Sequence, residues 1–411
     1  MDFEMKSLKV LIVSEHASNT FGGEAVLPLN YFMMLSQRDI DTYLITHERA
    51  RKNLESIKSI NQNNIIYIPD TLIHKFLYRV GSFLPDRISL ITTGALMHLL
   101  TQIYQWYLAK KAINQKGINI IHEPSPVSPK QPSLMFGLGV PVVIGPMNGG
   151  MSFPATFEFM ASKLEQYMYG FVRFFSSISN LLIPGKFFAD VLLVANNRTS
   201  LALPTFRLGK VKGLVENGVM SVIDTKKKSI STDINILFVG RLVDWKTVDI
   251  VIDAVSLCKN TNIKFNIVGD GPQRFILEKQ AAQKSSGKVI FYGQVPHAEV
   301  NQHYDDADIF VLPSVRECGG AVVLEAMSRG LPVIVTNWGG PADYVTAETG
   351  ILIDPISREY MVEQFSKYID ILADDVLLRE KLGVAAILHV KRHFLWEDKI
   401  TEMIDIYQSL V

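Results

Sequence analysis

The chain has 411 residues, too many for one ordinary compact core and enough for two domains. Hydrophobic residues make up 48% and charged residues 20% of it, a globular balance that excludes long disordered stretches. Two cysteines, Cys258 and Cys318, are too few for a disulfide framework. The zero net charge hides an asymmetry, because residues 1–213 hold 21 Lys and Arg against 14 Asp and Glu. Such a basic half favours an anionic partner, such as a membrane surface, or reflects chance scatter of surface charge.

The first element of the chain is predicted to be a buried strand. The N-terminus carries Asp2 and Glu4 and reaches Ser14 after one short apolar run. A signal peptide has a basic start and a longer apolar centre, so we expect a cytoplasmic protein.

Short apolar runs then alternate with helical patterns along both halves, which predicts parallel sheets covered on both faces. The predicted strands lie at 9–14, 41–46, 64–69, 118–124, 140–146 and 190–196, and then at 234–240, 265–271, 289–293, 308–314 and 332–337. The fold class is therefore α/β, with two doubly wound Rossmann-like domains that face each other across a cleft. Ligands are expected at the carboxyl ends of the strands.

The boundary between the domains is predicted in the segment 211–232, which carries a turn-forming Asn-Gly and three consecutive lysines. The prediction assigns residues 1–213 to the first domain and residues 214–393 to the second. A last helix, 394–411, is expected to cross back onto the first domain.

Two segments of the first half are unusual. Residues 88–109 contain no Lys, Arg, Asp or Glu, and we interpret them as a buried or interfacial helix rather than a membrane span. Residues 153–188 are rich in Phe, Tyr and Met, with Lys163, Arg173 and Lys186 interleaved. Such a segment is typical of a core, or of a surface at a lipid headgroup layer.

The strongest chemical signal lies between residues 311 and 345. A strand ends, a loop carries Glu317, Gly319 and Gly320 follow, and a helix opens near Ala321. Glycines let a backbone approach a ligand, and a helix start offers free N–H groups to an anion. Glu325, one turn further on, can accept hydrogen bonds from a ribose diol. In isolation the two glutamates would be ordinary surface charges, but together with the glycine turn they predict a nucleotide-sugar site.

Two cations lie upstream of this site. Arg241 follows a strand that ends in Gly240, and Lys246 comes five residues later. Cations at such a position neutralise a diphosphate and stabilise it as a leaving group.

The second half resembles the family-4 retaining glycosyltransferases of the GT-B type, the glycosyl transferases group 1. The resemblance implies that Arg241 and Lys246 hold the diphosphate, that Glu325 binds the ribose and that Glu317 lies near the donor sugar. It also implies that backbone amides at Gly319, Gly320 and Ala321 bind phosphate and sugar oxygens, and that the loop from Gly293 to Val295 lies near the base. The matching segments are 216–219, 239–246, 267–272, 292–314, the two glutamates with their spacing, and 339–345.

The sequence departs from the family pattern at two positions. Thr247 stands where a glycine usually follows the phosphate-binding lysine, and Cys318 replaces the aromatic residue that often follows the first glutamate. Neither change removes a charged group. Cys318 is expected to alter the donor-sugar pocket, and as a lone cysteine it is interpreted as a small packed residue.

The first half resembles the same family more weakly. Gly22 and Gly23 follow the first strand, as the glycine loop of the family does, and would face the diphosphate or the acceptor. His122, at the end of a strand, corresponds to a histidine that contacts the donor sugar, although a lone histidine is usually a packing residue. Asn148 and Gly149, in a second glycine-rich loop, are the residues predicted to bind the acceptor.

No metal or other cofactor is predicted. Asp306 and Asp308 spell D-x-D, but Asp306 is interpreted as a surface residue and Asp308 as structural, and the nine histidines show no ligand spacing. Arg241 and Lys246 supply the electrostatic function that a metal would have.

The predicted activity is therefore transfer of a sugar from a UDP- or GDP-sugar, with retention, to a glycan or lipid-linked acceptor in surface polysaccharide biosynthesis. Peripheral membrane contact through the first domain is expected, and no nucleic-acid partner. The alternatives are a non-catalytic GT-B protein that binds sugar nucleotides and a GT-B sugar-nucleotide epimerase. A Rossmann dehydrogenase is disfavoured, because the first strand is not followed by G-x-G-x-x-G.

Overall fold

The computed structural model describes residues 7–84, 89–125, 127–161, 176–223, 233–285 and 287–411. The chain divides into two compact units, and each draws on more than one stretch of sequence. The first unit comprises Met1–Gly150, Met168–Glu216 and Lys399–Val411, and the second comprises Met151–Tyr167 and Asn217–Asp398.

A seven-stranded sheet forms the centre of the first unit. Its order is β3-β2-β1-β4-β5-β6-β7, and all neighbouring strands pair in parallel. The order reverses between β1 and β4, which makes that position the topological switch point. The strands are β1 Lys9–Val13, β2 Asp41–His47, β3 Ile65–Ile68, β4 Ile120–Glu123, β5 Val142–Met147, β6 Val191–Val194 and β7 Lys210–Gly213.

Helices flank this sheet and complete its core. Leu11, Ile121, Ile144 and Leu192, from four different strands, lie in one buried apolar cluster together with Ala109 of a helix. Burial of such side chains is the main favourable term in folding. The helices are α1 Gly23–Gln37, α2 Arg51–Ser56, α3 Leu72–Gly81, α4 Ala95–Lys116, α5 Gly185–Phe188 and α6 Asn197–Ala202.

The second unit repeats the plan with six strands. Its order is β10-β9-β8-β11-β12-β13, again parallel throughout, and the switch point lies between β8 and β11. The strands are β8 Ile234–Val239, β9 Ile263–Val268, β10 Val289–Gly293, β11 Ile309–Leu312, β12 Val333–Thr336 and β13 Gly350–Ile353. The helices are α7 Val248–Leu257, α8 Arg274–Lys284, α9 His297–Asp306, α10 Ala321–Ser328, α11 Gly340–Tyr344, α12 Arg358–Asp374 and α13 Val376–His393. The last helix, α14 Trp396–Gln408, begins in the second unit, and its residues from Lys399 onward belong to the first unit.

The predicted fold class is confirmed, because both units are parallel α/β sheets. Each predicted strand has a counterpart in the structure, whereas β7 and β13 were missed. β7 reads Lys-Val-Lys-Gly and is mostly exposed, and β13 is a four-residue run that opens with glycine. β7 lacks the continuous apolar run on which the prediction of buried strands depends, and in β13 that run is limited to residues 351–353, which is shorter than the roughly 4–8 residues expected of a strand.

The two unusual segments lie in the first half. Of the residues 88–109, the described part forms a π-helical turn, Leu90–Gly94, and most of α4. Within the described parts of the chain, no helix combines the length and the apolar character that crossing a bilayer requires. Of the segment 153–188, residues 162–175, including Lys163 and Arg173, lie outside the described residues.

Candidate functional site

The candidate site of the second unit lies at its switch point, after the carboxyl ends of β8 and β11. After β8 the chain passes through Gly240 and Arg241 into a short 3-10 helix, Asp244–Lys246. After β11 it runs through a loop that carries Glu317 and enters α10 at Ala321. A backbone hydrogen bond from Val315 N to Trp245 O, of 3.0 Å, ties the two loops together. The structure therefore brings the two strongest sequence signals to one edge of one sheet.

Thr247, the first departure from the family pattern, adopts a left-handed backbone conformation with φ 43° and ψ 40°. Glycine adopts this conformation most readily, which explains why a glycine is usual at this position. The threonine is buried, and its hydroxyl donates a 2.7 Å hydrogen bond to the carbonyl of Pro313. This bond joins the cation-bearing loop to the end of β11 and compensates for the strained backbone.

Lys246 and Glu317 form an ion pair between Nζ and Oε2. Their side chains are 13% and 18% exposed, so solvent screens the pair only partly. Lys246 also passes over Gly240, because a Cβ added to that glycine would lie 3.4 Å from Nζ. The predicted cation and the predicted carboxylate are thus direct neighbours.

The glycines around Glu317 make this loop compact. Gly320 has φ 83°, and a Cβ there would lie 3.1 Å from Cγ of Glu317. A Cβ on Gly339 would lie 2.2 Å from the carbonyl of Glu317, and one on Gly340 would lie 2.0 Å from that of Gly319. Gly340 N also donates a 2.8 Å hydrogen bond to Glu317 O. The segment 339–345 therefore packs directly against the loop and fixes its course.

Helix α10 begins beside this loop. Gly320 is its N-cap residue, and among the described residues no side chain caps this N-terminus. An N-terminus without a side-chain cap favours negative charge, through its backbone N–H groups and the helix dipole. Glu325 lies inside α10, half-buried, and its Oε2 accepts a 2.9 Å hydrogen bond from the hydroxyl of the buried Tyr304. This bond orients the carboxylate that was predicted to bind ribose.

The other predicted donor residues lie around the same switch point or at and after the end of β10, the edge strand that is separated from β8 by β9. Arg241 is exposed and, within the described residues, makes no ion pair. Gly293 ends β10 with φ 73°, close to the guanidinium of Arg274, and Val295 is half-buried two residues later. Cys318, beside Glu317, is exposed rather than the packed residue that was expected. Its neighbour Arg316 stacks on Phe153 at 5.1 Å.

His122, the predicted histidine of the first unit, is completely buried. Its Nε2 lies 2.6 Å from the carbonyl of Gly145, and its Nδ1 lies 2.6 Å from the hydroxyl of Tyr407. Burial lowers the pKa of His122 to about 4, although the bond to Gly145 acts to raise it. Both ring nitrogens are therefore engaged within the protein, an arrangement that fits a packing histidine. Its contact with a donor sugar stays a prediction.

The predicted acceptor residues are also engaged internally. Asn148 is buried, donates a 2.5 Å hydrogen bond to Glu216 and accepts one of 3.2 Å from Asn196. Gly149 N donates to the hydroxyl of Thr199 at 3.0 Å. These contacts explain the two residues as parts of the fold, and their contact with an acceptor stays a prediction.

Gly22 and Gly23 are exposed, in contrast to Asn148 and His122. Gly22 has φ 100° and precedes α1, and a Cβ built on either glycine meets nothing within 4 Å. The glycine loop is therefore open at the start of α1. That openness is compatible with a ligand there.

The two D-x-D carboxylates accept hydrogen bonds from different partners. Asp306 is exposed and accepts a hydrogen bond from Gln302, whereas Asp308 accepts a 2.8 Å bond from the backbone N–H of Asn235.

One metal-like group was missed, because ligand atoms of His47, Asp70 and His74 lie within 4.8 Å of one another. Arg49 already donates a 3.1 Å bond to Asp70 in that group. Sequence spacing could not reveal it, because the three residues come from β2, the loop after β3 and α3.

A polar cavity at the switch point of the first unit was also missed. It lies beside Glu15 and His16, which directly follow β1, and beside Ser125, which follows β4. His98 lines it too, from the helix α4. The available signal was the position of Glu15 and His16 directly after the first strand.

Two parallel, doubly wound α/β units of this kind define the GT-B fold class. HepE of Anabaena, solved in complex with UDP-glucose, superposes with a TM-score of 0.66 over 98% of this chain and 100% of its own at 15% identity. At that identity the likeness concerns the fold alone. Residues 221–388 match the family model described as Glycosyl transferases group 1. The match covers these residues, which therefore form a glycosyl transferases group 1 domain.

Two relatives are each similar to less than half of the chain. An uncharacterized glycosyltransferase of Methanocaldococcus jannaschii is 32% identical over 176 residues, which is 42% of this chain and 44% of that protein. The GDP-mannose-dependent monoacylated alpha-(1-6)-phosphatidylinositol monomannoside mannosyltransferase of Corynebacterium glutamicum is 30% identical over 196 residues, which is 45% of this chain and 50% of that protein. The chain thus spans at most half the length of these relatives.

Proposed function

We propose that this protein transfers a sugar from a nucleotide-diphosphate sugar to an acceptor hydroxyl, with retention of the anomeric configuration. The observation that carries this proposal is the switch point of the second unit. There Lys246, Glu317 and the start of α10 without a side-chain cap lie together, with Glu325 on the same helix. A diphosphate needs cations and N–H groups, and a ribose needs a carboxylate.

The donor binds through its diphosphate in this proposal. Lys246 and Arg241 neutralise its negative charge, and the backbone N–H groups at Gly319, Gly320 and Ala321 donate to its oxygens. Glu325, held by Tyr304, accepts hydrogen bonds from the ribose hydroxyls. Gly293 and Val295 lie near the base. Stabilising charge on the departing oxygen is the main way in which such groups accelerate a transfer.

The bond that breaks joins the anomeric carbon to the diphosphate oxygen, and the bond that forms joins the same carbon to the acceptor oxygen. In the route that we favour, the acceptor attacks from the face that the diphosphate leaves. The acceptor proton passes to the departing diphosphate, whose charge Lys246 and Arg241 compensate. No metal is required, because these cations provide the electrostatic stabilisation.

Glu317 has a different role from Glu325. In the ligand-free protein it neutralises Lys246, so the carboxylate prevents that lysine from standing uncompensated in a partly desolvated position. When a diphosphate takes over the lysine, Glu317 becomes free to accept hydrogen bonds from the donor sugar. One residue thereby links occupancy of the phosphate site to contact with the sugar.

The donor is proposed to carry UDP or GDP, and the acceptor to be a glycan or a lipid-linked sugar of surface polysaccharide biosynthesis on the cytoplasmic face of the membrane. The Anabaena protein HepE was solved in complex with UDP-glucose, and the Corynebacterium relative is a GDP-mannose-dependent mannosyltransferase for monoacylated alpha-(1-6)-phosphatidylinositol monomannoside. These two proteins support UDP and GDP as donor nucleotides and a lipid-linked acceptor.

Helix α3 supports contact with a membrane surface. It buries His74 and Gly81, whereas Leu72 is 82% and Phe76 is 65% exposed. Phe83, just beyond the helix, is 83% exposed. No acidic residue lies between 71 and 84, and Lys75 and Arg79 add positive charge. Exposed apolar groups interleaved with cations are typical of helices that lie in the headgroup layer.

Sedimentation with vesicles tests this contact. We expect the protein to bind vesicles that contain anionic lipid, and Phe76→Ser to weaken binding. Phe275→Ser is the matched control, because Phe275 is 78% exposed on the second unit. Equal binding by both variants would remove α3 from the proposal.

Turnover of donor tests the proposed function. Purified protein is incubated with UDP- and GDP-sugars and a panel of glycan acceptors, and nucleotide release and product anomer are measured by NMR. We expect release of nucleoside diphosphate that depends on acceptor, and a product with the anomeric configuration of the donor. Lys246→Met is expected to abolish this acceptor-dependent release of nucleoside diphosphate, and Asp306→Asn is expected to leave the release unchanged.

The two alternatives give other outcomes. Tight nucleotide binding without release from any donor–acceptor pair would identify a binding protein. Interconversion of the donor sugar without an acceptor would identify an epimerase.

A further inference from the structure

A second cavity of the first unit, with a volume of about 650 Å³, lies near one edge of the seven-stranded sheet. Phe187 and Phe188 reach it from the end of α5, just before β6, and Thr205 and Phe206 reach it from the segment before β7. A 2.9 Å backbone hydrogen bond from Leu208 N to Phe187 O holds these two segments together. The cavity thus lies beside the amino ends of two strands, whereas ligands of open α/β sheets generally bind at the carboxyl ends.

The lining of this cavity is mostly apolar, and its rim is exposed. Leu181 and Leu201 line it although both are largely exposed, and Phe206 is 76% exposed. Arg207 and Leu208, which follow Phe206, are exposed as well. Exposed apolar side chains next to a cation are typical of surfaces that contact lipid. The volume lies within the roughly 300–1,000 Å³ of pockets that bury one small molecule, so a single apolar chain fits it.

One polar side chain of the lining, that of Asn180, is buried and incompletely bonded. Asn180 is 7% exposed, and its Nδ2 donates hydrogen bonds to the carbonyls of Lys130, at 2.9 Å, and Ser176, at 2.8 Å. These two bonds use both N–H groups and thereby fix the orientation of the amide. Its Oδ1 is buried and has no hydrogen-bond partner among the described residues. Buried polar atoms of this kind usually have a partner, and here a hydroxyl group of a ligand would supply it.

Positive charge lies beside this amide. Lys130, whose carbonyl Asn180 holds, is half-buried, lines the cavity and forms no ion pair with a described residue. The described lining residues include no Asp or Glu. Residues 176–213, which supply most of the lining, hold five Lys and Arg against one Asp. A cation without a counter-charge next to an apolar lining favours an anionic group on the ligand.

We propose that this cavity binds a single-chain anionic phospholipid. Its acyl chain fills the apolar part, its phosphate pairs with Lys130, and a glycerol hydroxyl group donates a hydrogen bond to Oδ1 of Asn180. A second copy of this chain is the rival occupant, but contact between copies would cover the exposed rim without reaching the buried Oδ1. The site is distinct from α3, which follows β3 at the opposite edge of the sheet, and it does not depend on the proposed sugar transfer.

Isothermal titration calorimetry on the full chain tests this inference. The probes are lysophosphatidic acids with chains of eight, ten and twelve carbons, each below the concentration at which it forms micelles. We expect each added CH₂ group to tighten binding about fourfold, the factor for about 0.8 kcal/mol, until the cavity is full. Inorganic phosphate should not bind, because it brings no chain.

Two further lipids separate the polar contacts. Lysophosphatidylcholine of the same chain length has no net charge and should bind about tenfold more weakly than the lysophosphatidic acid. The 2-deoxy analogue of the lysophosphatidic acid lacks the hydroxyl group that Asn180 accepts from. It should bind about 2- to 13-fold more weakly, as expected for the loss of one neutral hydrogen bond.

Two variants with matched controls assign the binding to this cavity. Lys130→Met should bind the lysophosphatidic acid as weakly as lysophosphatidylcholine, whereas Lys111→Met, at an exposed lysine of the same unit, should bind it as the wild type does. Phe206→Ser should weaken binding about tenfold, and Phe275→Ser, at an equally exposed phenylalanine of the second unit, should not. Far-UV circular dichroism and the unfolding temperature check that each variant is folded.

The inference is wrong if no lysophosphatidic acid binds, if affinity does not depend on chain length, or if Lys130→Met keeps the wild-type affinity. Analytical ultracentrifugation tests the rival occupant. Dimerisation that Phe206→Ser abolishes, in a protein that binds none of the lipids, would identify the rim as an interface between copies and overturn the proposal. Lipid binding by a protein that turns over no sugar donor would support this inference and count against the proposed function alone.

Discussion

Substitution of Lys246 by methionine removes the cation that pairs with Glu317 at the switch point of the second unit. The two side chains are only 13% and 18% exposed, so the lysine lies in a position where solvent screens charge incompletely. Methionine keeps most of the apolar stem that passes over Gly240. Lys246→Met therefore removes the positive charge of the side chain and keeps most of its packing.

The magnitude follows from the contact that the diphosphate loses. A hydrogen bond to a charged group contributes about 1.5–3 kcal/mol, so nucleoside diphosphate binding should weaken by roughly 10- to 150-fold. Glu317→Gln should strengthen nucleoside diphosphate binding, because the diphosphate no longer competes with a carboxylate for Lys246. An ion pair of this kind is worth up to about 1 kcal/mol, which corresponds to at most a roughly fivefold tighter complex.

Isothermal titration calorimetry with UDP and GDP measures both effects. Lys259→Met is the matched control, because Lys259 is an exposed lysine of the same unit. The nucleotide that binds the wild type more tightly is then used for all variants. Wild-type affinity in Lys246→Met would refute the assignment of the diphosphate to this lysine. A loss of more than about tenfold in Glu317→Gln would show that Glu317 contacts the nucleotide itself, contrary to the competition described here.

Three further predictions concern single residues. Thr247→Val should lower the free energy of unfolding by about 1–3 kcal/mol, because the buried carbonyl of Pro313 loses its hydrogen-bond donor. Thr247→Gly should lower the free energy of unfolding less, because glycine relieves the strain of the left-handed backbone. Denaturant titration compares the two variants with the wild type, and equal stability of Thr247→Val and wild type would contradict this prediction. His122 has its pKa lowered to about 4, so below pH 6.5 the unfolded chain binds more protons than the folded one, and stability should fall by up to about 3 kcal/mol as the pH drops from 6.5 to 4. His122→Gln should show a flatter dependence in urea titrations across this range, and an unchanged slope would disprove the assignment. Glu325→Ala should weaken UDP or GDP binding about tenfold but leave binding of the 2′,3′-dideoxy analogue nearly unchanged, and an equal loss for both ligands would exclude the ribose contact.

The sequence was most informative where the determinants are local. Continuous apolar runs predicted the central strands of both units, because a strand buried on both faces has to be apolar along its length. Lys246 and Glu317 lie 71 residues apart, yet each follows the end of a recognisable strand. Since β8 and β11 are neighbours in a parallel sheet, their carboxyl ends meet at one edge, and the juxtaposition of the two residues could be inferred.

The first unit was less predictable, because its contacts depend on distant parts of the chain. His122 was selected for its position at the end of a strand, but Tyr407, 285 residues away, covers one of its nitrogens. His98 pairs with Glu15 over 83 residues, from a helix whose sequence indicated only an apolar surface. No periodicity or motif reports such contacts, since they arise when helices are packed onto the sheet.

The central claim is that the second unit binds a nucleotide-diphosphate sugar through the switch-point residues. Its most direct test is a thermal-shift titration of nucleotide sugars with wild type, Arg241→Ala and Glu325→Ala. The account predicts that at least one UDP- or GDP-sugar raises the unfolding temperature of the wild type, and that both variants lose this stabilisation while they keep the wild-type unfolding temperature without ligand. Stabilisation that persists in both variants would contradict the account.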